Sequence, residues 1–316
     1  MIQGIKVFDF HCHFPVKGDF FPGYDMSGSS NRYRGENREQ SEIWSKAWNF
    51  PGPKEEVEDD REASDRWYQN VVEKEIEKVA FVTGGGNDRL ARIVGYHPDR
   101  FVGFAHHHPM SENAEEELER SVTELGFRGY KILGPMVERP LSDKSFYGLW
   151  KICRKHDIPV LIHFGVLGAA GGLATAVNMS PLAIHDAAKE FADVNFVIPH
   201  FGAGYPTELL HLCWTCPNVY VDSSGSNQWV RWMAYDLTLQ DLFRKFYETI
   251  GPERLIFSTD SSWFPRTFAY SYLEEQHRIM RFLRFSEQDI EKILYGNAVK
   301  LLKFEEDQTP STDVSR

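Results

Sequence analysis

The segment DFHCH, residues 9–13, decides how this sequence is interpreted. It closes a short apolar run. Because side chains alternate along a strand, residues 9, 11 and 13 are predicted to point one way, and Phe10 and Cys12 the other. Two imidazoles two residues apart on one face, at the carboxyl end of a strand, can bind one metal ion. A single pair of this kind is as compatible with a structural role as with metal binding. Further metal-binding residues elsewhere in the chain are needed to distinguish the two roles.

Short apolar runs alternate with segments of helical length along most of the chain. There are eight runs, at residues 5–10, 79–83, 101–105, 127–133, 159–164, 195–199, 219–221 and 255–258. Nearly continuous Val, Ile, Phe and Leu is typical of parallel strands covered on both faces. Eight strands, each followed by a helix, predict an α/β fold, the (β/α)8 TIM barrel. A doubly wound open sheet is the alternative, but no GxGxxG follows the first run.

One barrel domain is predicted for residues 1–304, with a long insertion after the first strand, from about residue 14 to residue 60. Loops of this length are usually functional or disordered. The aromatic side chains of the insertion argue against disorder, so we expect a lid over the barrel mouth. The polar residues 305–316 are predicted to form a flexible tail.

The composition excludes several classes of protein. The chain has 35 Lys and Arg against 46 Asp and Glu, a net charge of −11, and no basic stripe, so nucleic-acid binding is not expected. No apolar run approaches the roughly 20 residues of a membrane span, and the amino terminus does not resemble a signal peptide. Four scattered cysteines do not form a disulfide framework. We therefore expect a cytoplasmic protein with a small-molecule substrate, and a homodimer contact around residues 229–232.

Three later strands also end in a residue that binds metals. His163 closes the fifth apolar run, His200 the sixth and Asp260 the eighth. The carboxyl ends of barrel strands meet at one mouth, where active sites form. Burying these groups together is costly unless a metal or a dense hydrogen-bond network compensates. The pattern therefore predicts a metal site at the barrel mouth.

This arrangement resembles the amidohydrolase superfamily. The residues that carry the resemblance are the two histidines after strand one, the histidines after strands five and six, the aspartate after strand eight and the closing YGNAVKLL, residues 295–302. The amidohydrolase-related branch is the most similar one, and it includes aminocarboxymuconate-semialdehyde decarboxylase, resorcylate-type decarboxylases and lactone hydrolases. The resemblance covers residues 5–302 and is specific for fold and metal site, not for the reaction.

The resemblance implies one mononuclear metal centre. Its ligands would be His11, His13 and His163, with Asp260 as a further ligand, and His200 would lie beside the water bound to the metal. Zn2+ is the favoured ion, and Mn2+, Fe2+ or Ni2+ would also suit such a ligand set.

The chemistry expected of this centre is hydrolysis of a small carboxylated or carbonyl-containing substrate. A divalent ion lowers the pKa of its water to about 7, Asp260 could accept and return the proton, and His200 could stabilise an oxyanion. The enzymatic alternative is metal-dependent, non-oxidative decarboxylation or hydration of an unsaturated or aromatic acid. The non-enzymatic alternative is a metal-binding scaffold that has lost its chemistry.

Lys131 and two residues of the insertion are candidates for binding substrate. Superfamily members with two metals carry a carboxylated lysine at the position of Lys131. We favour a direct contact with substrate, because the branch resembled here is usually mononuclear. Arg34 could hold a carboxylate through two hydrogen bonds, with Arg32 and Arg38 as further candidates. Trp48 could cover a planar ligand, or simply anchor the loop.

Other motifs carry less information. At most two of the consecutive histidines 106–108 can reach one site, so they are interpreted as structural or substrate-facing. Cys213 and Cys216 are interpreted as incidental thiols, and the glycines 84–86 as a flexible turn. Asp222 could orient a ligand histidine or cap a loop, and the sequence does not separate these roles.

Overall fold

The computed structural model describes residues 1–18, 22–24, 39, 42–43, 55–165, 167, 175–230, 233 and 235–304. Within these residues, the strands are β1 (Phe8–His13), β2 (Lys78–Thr83), β3 (Phe101–Gly103), β4 (Tyr130–Leu133), β5 (Val160–His163), β6 (Phe196–Ile198), β7 (Val219–Asp222) and β8 (Leu255–Ile256). The helices are α1 (Asp60–Glu73), α2 (Asn87–Val94), α3 (Ala114–Thr123), α4 (Tyr147–His156), α5 (His185–Glu190), α6 (Pro206–Thr215), α7 (Ser226–Trp229), α8 (Leu239–Ile250), α9 (Tyr270–Phe282), α10 (Glu287–Glu291) and α11 (Asn297–Leu301).

The strands form a parallel (β/α)8 barrel, as the sequence predicted. Hydrogen-bonded ladders run in chain order through β1–β3 and through β4–β8. An isolated bridge between Ala105 and Tyr130 joins the two groups, and a second between Cys12 and Ser261 closes the ring. Each predicted apolar run overlaps a strand, although β1 lies three residues further along the chain than its run suggested.

Apolar side chains fill the barrel and separate the strands from the helices. The interior is packed with aromatic and branched residues, among them Phe10 and Phe104, whose rings meet edge to face at 5.5 Å. Residues of α11, such as Val299 and Leu301, cover this cluster. A larger cluster packs between strands and helices. The barrel is therefore packed largely with apolar side chains, and the predicted metal-site residues lie at the carboxyl ends of the strands.

The strict alternation expected for residues 9–13 is wrong. Phe10 belongs to the cluster inside the barrel, whereas Cys12 packs in the outer cluster. The physical reason is an irregularity in the pairing of β1 with β2, whose register shifts on both sides of Cys12. The shift lets β1 fill the barrel with Phe8 and Phe10 while His11 and His13 still reach the mouth.

Candidate metal centre

The barrel brings all five predicted metal-site residues together. His11 Nε2 lies 3.3 Å from His13 Nε2, and His13 Nε2 lies 3.1 Å from Asp260 Oδ1. His200 Nε2 lies 3.1 Å from His163 Nδ1. Four strands, β1, β5, β6 and β8, thus deliver nitrogen and oxygen donors to one place.

Among the described residues, His11, His200 and Asp260 form a group of potential metal donors. One ligand atom from each of these residues lies within 4.8 Å of the others. His200, expected beside a bound water, is therefore as close to the centre as the expected ligands. His13 and His163 are in hydrogen-bonding contact with members of this group.

Hydrogen bonds fix which nitrogen of His200 and His11 faces the centre. His200 Nδ1 lies 2.5 Å from the carbonyl oxygen of Ser224, and because a carbonyl only accepts, Nδ1 carries the hydrogen. His11 Nδ1 lies 3.0 Å from Asp222 Oδ2, where the carboxylate accepts in the same way. The Nε2 atom of each ring is left with its lone pair directed at the centre, as a metal ligand requires.

The donor set therefore fits a divalent cation. Two imidazole lone pairs and one carboxylate converge, and burial lowers the pKa of both His11 and His200, so that the neutral form is favoured. Burial opposes ionisation of Asp260, but the hydrogen bond from His13 and the nearby imidazoles outweigh it and hold the pKa well below its usual value. Neutral imidazoles beside an ionised carboxylate suit Zn2+, Mn2+, Fe2+ and Ni2+ alike.

Asp222 and Ser224 contact the histidine rings on the side that faces away from the centre. Asp222 both orients His11 and accepts from the backbone N–H of Ser224 at 2.7 Å, so the two roles left open for it coexist. The Ser224 hydroxyl lies 3.0 Å from Nδ1 of His11 and 3.0 Å from Nδ1 of His200. Ser224 was not predicted as a site residue, although its position two residues after the end of β7 was a usable signal.

Lys131 lies inside the centre. Its side chain is buried, and Nζ is 3.3 Å from His11 Nε2. Burial lowers its pKa to about 7, against the opposing charges of Asp222 and Asp260. A lysine that contacts substrate and a carboxylated lysine that bridges two metals would both lie close to the metal. The position of Lys131 therefore does not distinguish these two interpretations.

Trp229 forms part of the wall of the centre. Its indole ring is 4.9 Å from the ring of His200, and its Nε1 lies 3.5 Å from Asp260 Oδ2. Gly225 makes room for the indole, since a Cβ there would be 2.7 Å from Trp229 Cδ1 and 3.0 Å from Asp260 Oδ2. The structure therefore gives Trp229 a place in the site, whereas the dimer contact predicted around residues 229–232, two of which lie outside the described residues, stays a prediction.

The three consecutive histidines have structural partners. His106 Nε2 accepts from the backbone N–H groups of Gly84 and Gly86, at 3.2 and 3.0 Å. His107 pairs with Asn87 and the carbonyl of residue 114, and His108 with the backbone of residues 110 and 136. The glycine turn is therefore held by a histidine of the neighbouring strand. The cysteines at 213 and 216 are buried free thiols.

Most of the predicted lid lies outside the described residues. These include Arg34 and Trp48, together with Arg32 and Arg38, so their predicted contacts with substrate stay predictions. Tyr24 is described and buried, with its ring 4.6 Å from that of His108. Its hydroxyl accepts the backbone N–H of Leu133 at 3.3 Å. This part of the insertion is thus anchored over the ends of β3 and β4.

In the part of the chain that the structure describes, none of the helices combines the length and the apolar character needed to cross a bilayer.

A family model for amidohydrolases matches residues 8–304. The chain belongs to the amidohydrolase family. Among curated relatives of this amidohydrolase, a gamma-resorcylate decarboxylase of Polaromonas sp. is 28% identical over 253 residues, which are 69% of this chain and 74% of the relative. A 2-amino-3-carboxymuconate-6-semialdehyde decarboxylase of Dictyostelium discoideum is 34% identical over 79 residues, 24% of this chain and 22% of that one.

Solved structures share the fold of this amidohydrolase. A 5-carboxyvanillate decarboxylase of Novosphingobium aromaticivorans, complexed with manganese, has a TM-score of 0.65 and 19% identity, covering 96% of this chain and 97% of that one. The 2,6-dihydroxybenzoate decarboxylase from Rhizobium has a TM-score of 0.62 and 19% identity, covering 95% and 99%. The curated relatives agree better with the decarboxylase alternative than with the hydrolase expected first.

Proposed function

We propose that this amidohydrolase is a metal-dependent, non-oxidative decarboxylase that acts on a small planar carboxylic acid. The observation that carries the proposal is the convergence of neutral imidazole lone pairs and the ionised Asp260 at the barrel mouth. The relatives named as decarboxylases support this reaction over hydrolysis, and their names indicate hydroxylated aromatic or unsaturated acids as the substrate class.

The metal would be held by His11, His13, His163 and Asp260, with His200 close enough to join them. When bound, the ion supplies a Lewis acid that attracts the oxygens of an acidic substrate. Zn2+ and Mn2+ are both candidates. Asp222 and Ser224 keep the histidine rings in the tautomers that binding requires.

Decarboxylation needs a proton at the carbon that loses carbon dioxide. The carbon–carbon bond breaks, its electron pair stays on that carbon, and a proton adds there as carbon dioxide leaves. The low pKa of Asp260 favours its ionised form, so it would first accept a proton from the substrate or from water and then deliver it to the carbon. His200, whose Nε2 carries a lone pair, would accept a hydrogen bond from a hydroxyl group of the substrate and so orient it.

Substrate binding is assigned to residues around the metal centre. The Lys131 amine lies close enough to His11 to meet an acidic oxygen of a substrate bound at the centre. Arg34 and Trp48 remain proposed contacts from the insertion. We also propose that the protein acts as a homodimer in the cytoplasm; the mass measured by light scattering tests the dimer.

The proposal is tested by supplying the metal-loaded protein with 2,6-dihydroxybenzoate and 5-carboxyvanillate and measuring released carbon dioxide. Lactones and amides are assayed in parallel for hydrolysis. We expect stoichiometric carbon dioxide and the decarboxylated phenol, without hydrolysis. Hydrolysis of a lactone or amide without carbon dioxide from any acid would restore the hydrolase interpretation. Metal binding with neither activity would favour the scaffold.

A further inference from the structure

The buried carboxylate of Asp9 lies close to the metal centre, and the proposed mechanism does not use it. Asp9 is fully buried below the mouth. Its Oδ1 accepts the backbone N–H groups of His11, at 3.2 Å, and Thr259, at 3.1 Å. Its Oδ2 accepts the Cys12 thiol at 3.1 Å and the Thr259 hydroxyl. Four donors from two separate segments thus meet one carboxyl group and offset part of the cost of burying it.

The segment that contains His11 and Cys12 and the segment that contains Thr259 meet where the barrel closes. Between β1 and the residues after β8, the described pairing is an isolated bridge, Cys12 with Ser261. Two further backbone bonds cross at the same level: Asp260 N–H to His11 O at 3.0 Å, and His13 N–H to Ser261 O at 2.8 Å. The closure of the barrel and the metal centre therefore share the same few residues.

Asp260 needs this support because of its backbone conformation. Its φ is +58°, in the left-handed region, which residues with a side chain adopt less readily than glycine. Such strain persists where the surroundings over-determine it. The residue before Asp260 is held by Asp9. The residue after it, Ser261, is held through a 2.5 Å contact between the hydroxyls of Thr259 and Ser261.

We propose that Asp9 is a positioning residue of the metal centre: its carboxylate holds His11 and Asp260, from opposite ends of the chain, at the separation that metal binding requires. Asp9 touches neither the ion nor the substrate. The inference rests on the proposed metal centre, and it adds a residue outside the ligand set.

The test is Co2+ binding to metal-free protein, followed by the visible absorption of Co2+, which reports ligand geometry independently of activity. In Asp9→Asn, an amide NH2 replaces one accepting oxygen. This NH2 faces groups that donate to Asp9 in the wild type, so it cannot accept their hydrogen bonds. We expect a dissociation constant raised about 10- to 100-fold, together with a changed spectrum. Thr259→Val removes the hydroxyl contacts with Asp9 and Ser261 but keeps the backbone N–H bond to Asp9, so it should move both readouts in the same direction by less.

The matched control is Asn218→Ala, which disturbs a buried polar network at the other end of the barrel. Asn218 precedes β7, and its side chain donates to three backbone carbonyls. We expect this variant to lose thermal stability but to keep the Co2+ affinity and spectrum of the wild type. If the wild type binds no Co2+, the proposed function and this inference both fail. If the wild type binds and Asp9→Asn keeps its affinity and spectrum, whatever its stability, only the positioning role is wrong.

Discussion

Asp260 combines two properties that single it out at the residue scale. Hydrogen bonding from His13 and the nearby imidazoles outweigh its burial and hold its pKa well below the usual value, and its backbone is left-handed. The sequence predicted its identity and its place after β8. Its conformation and its pKa depend on residues distant in the chain, so no local pattern could have predicted them.

Replacing Asp260 tests its role in proton transfer. Asp260→Asn keeps the shape and a potential oxygen ligand but can no longer accept and return a proton. We expect carbon dioxide release to fall about 10²- to 10⁴-fold, with metal content retained as measured by elemental analysis. A variant that keeps its metal and full activity would remove Asp260 from the chemistry.

Ser224 provides a second test at this scale. Its hydroxyl lies 3.0 Å from Nδ1 of both His11 and His200. Ser224→Ala should therefore weaken metal affinity by about 10-fold, measured by competition with a coloured chelator. The control is Ser121→Ala on α3, because the buried Ser121 hydroxyl makes no hydrogen bond within the described residues. Equal affinities in the two variants would contradict the role given to Ser224.

At the scale of elements, local sequence predicted strand positions better than their internal geometry. The eight apolar runs locate the strands because burial on both faces dictates their composition. The register shift around Cys12 could not be predicted, because it depends on how β1 pairs with β2. The contact of Trp229, on α7, with His200 was also missed, because it depends on how the residues after β7 pack over the barrel mouth.

The turn before α7 offers a matched pair of glycine variants. Gly225 and Gly126 both have positive φ, +59° and +72°, so alanine is strained at each. A Cβ at 225 would also collide with Trp229, whereas nothing lies within 4 Å of one at 126. We expect both variants to lose about 1 kcal/mol of stability, but only Gly225→Ala to lose metal affinity and shift the tryptophan emission. Unchanged metal binding and emission in Gly225→Ala would mean that Trp229 is not held by this turn.

The contact between α1 and α2 has a predictable pH dependence. Arg89 donates two hydrogen bonds to Asp60, at 2.8 and 2.9 Å, and this contact lowers the pKa of Asp60 below its unfolded value of about 3.9. Its stabilisation is complete above that value and is lost as the pH falls through the lower, folded pKa. Asp60→Asn should cost about 1 kcal/mol or less at pH 7, since the pair is partly exposed.

Urea unfolding at several pH values checks this prediction. The difference between wild type and Asp60→Asn should shrink as the pH drops below about 4. Asp193→Asn is the control, because the Asp193 carboxylate is exposed and 3.9 Å from Arg154. A difference for Asp60→Asn that grows on acidification would have the wrong sign and would contradict the account.

For the whole molecule, the barrel and the location of its centre follow from sequence, whereas the reaction does not. Strand order, closure and the convergence of His11, His200 and Asp260 are consequences of a fold that places strand ends at one mouth. Hydrolysis and decarboxylation use the same donor residues, so residue types alone could not separate them. The curated relatives, which are named as decarboxylases, agree better with decarboxylation than with hydrolysis.

The central claim is that one divalent ion is held at the barrel mouth. The most direct measurement is the metal content per chain of protein purified without chelator, compared with His11→Ala. We predict about one ion per wild-type chain and its loss in the variant, because the Nε2 lone pair of His11 faces the centre. About two ions would instead make Lys131 a carboxylated bridge. An absence of metal from the wild type, even after incubation with Zn2+ or Mn2+, would contradict the account.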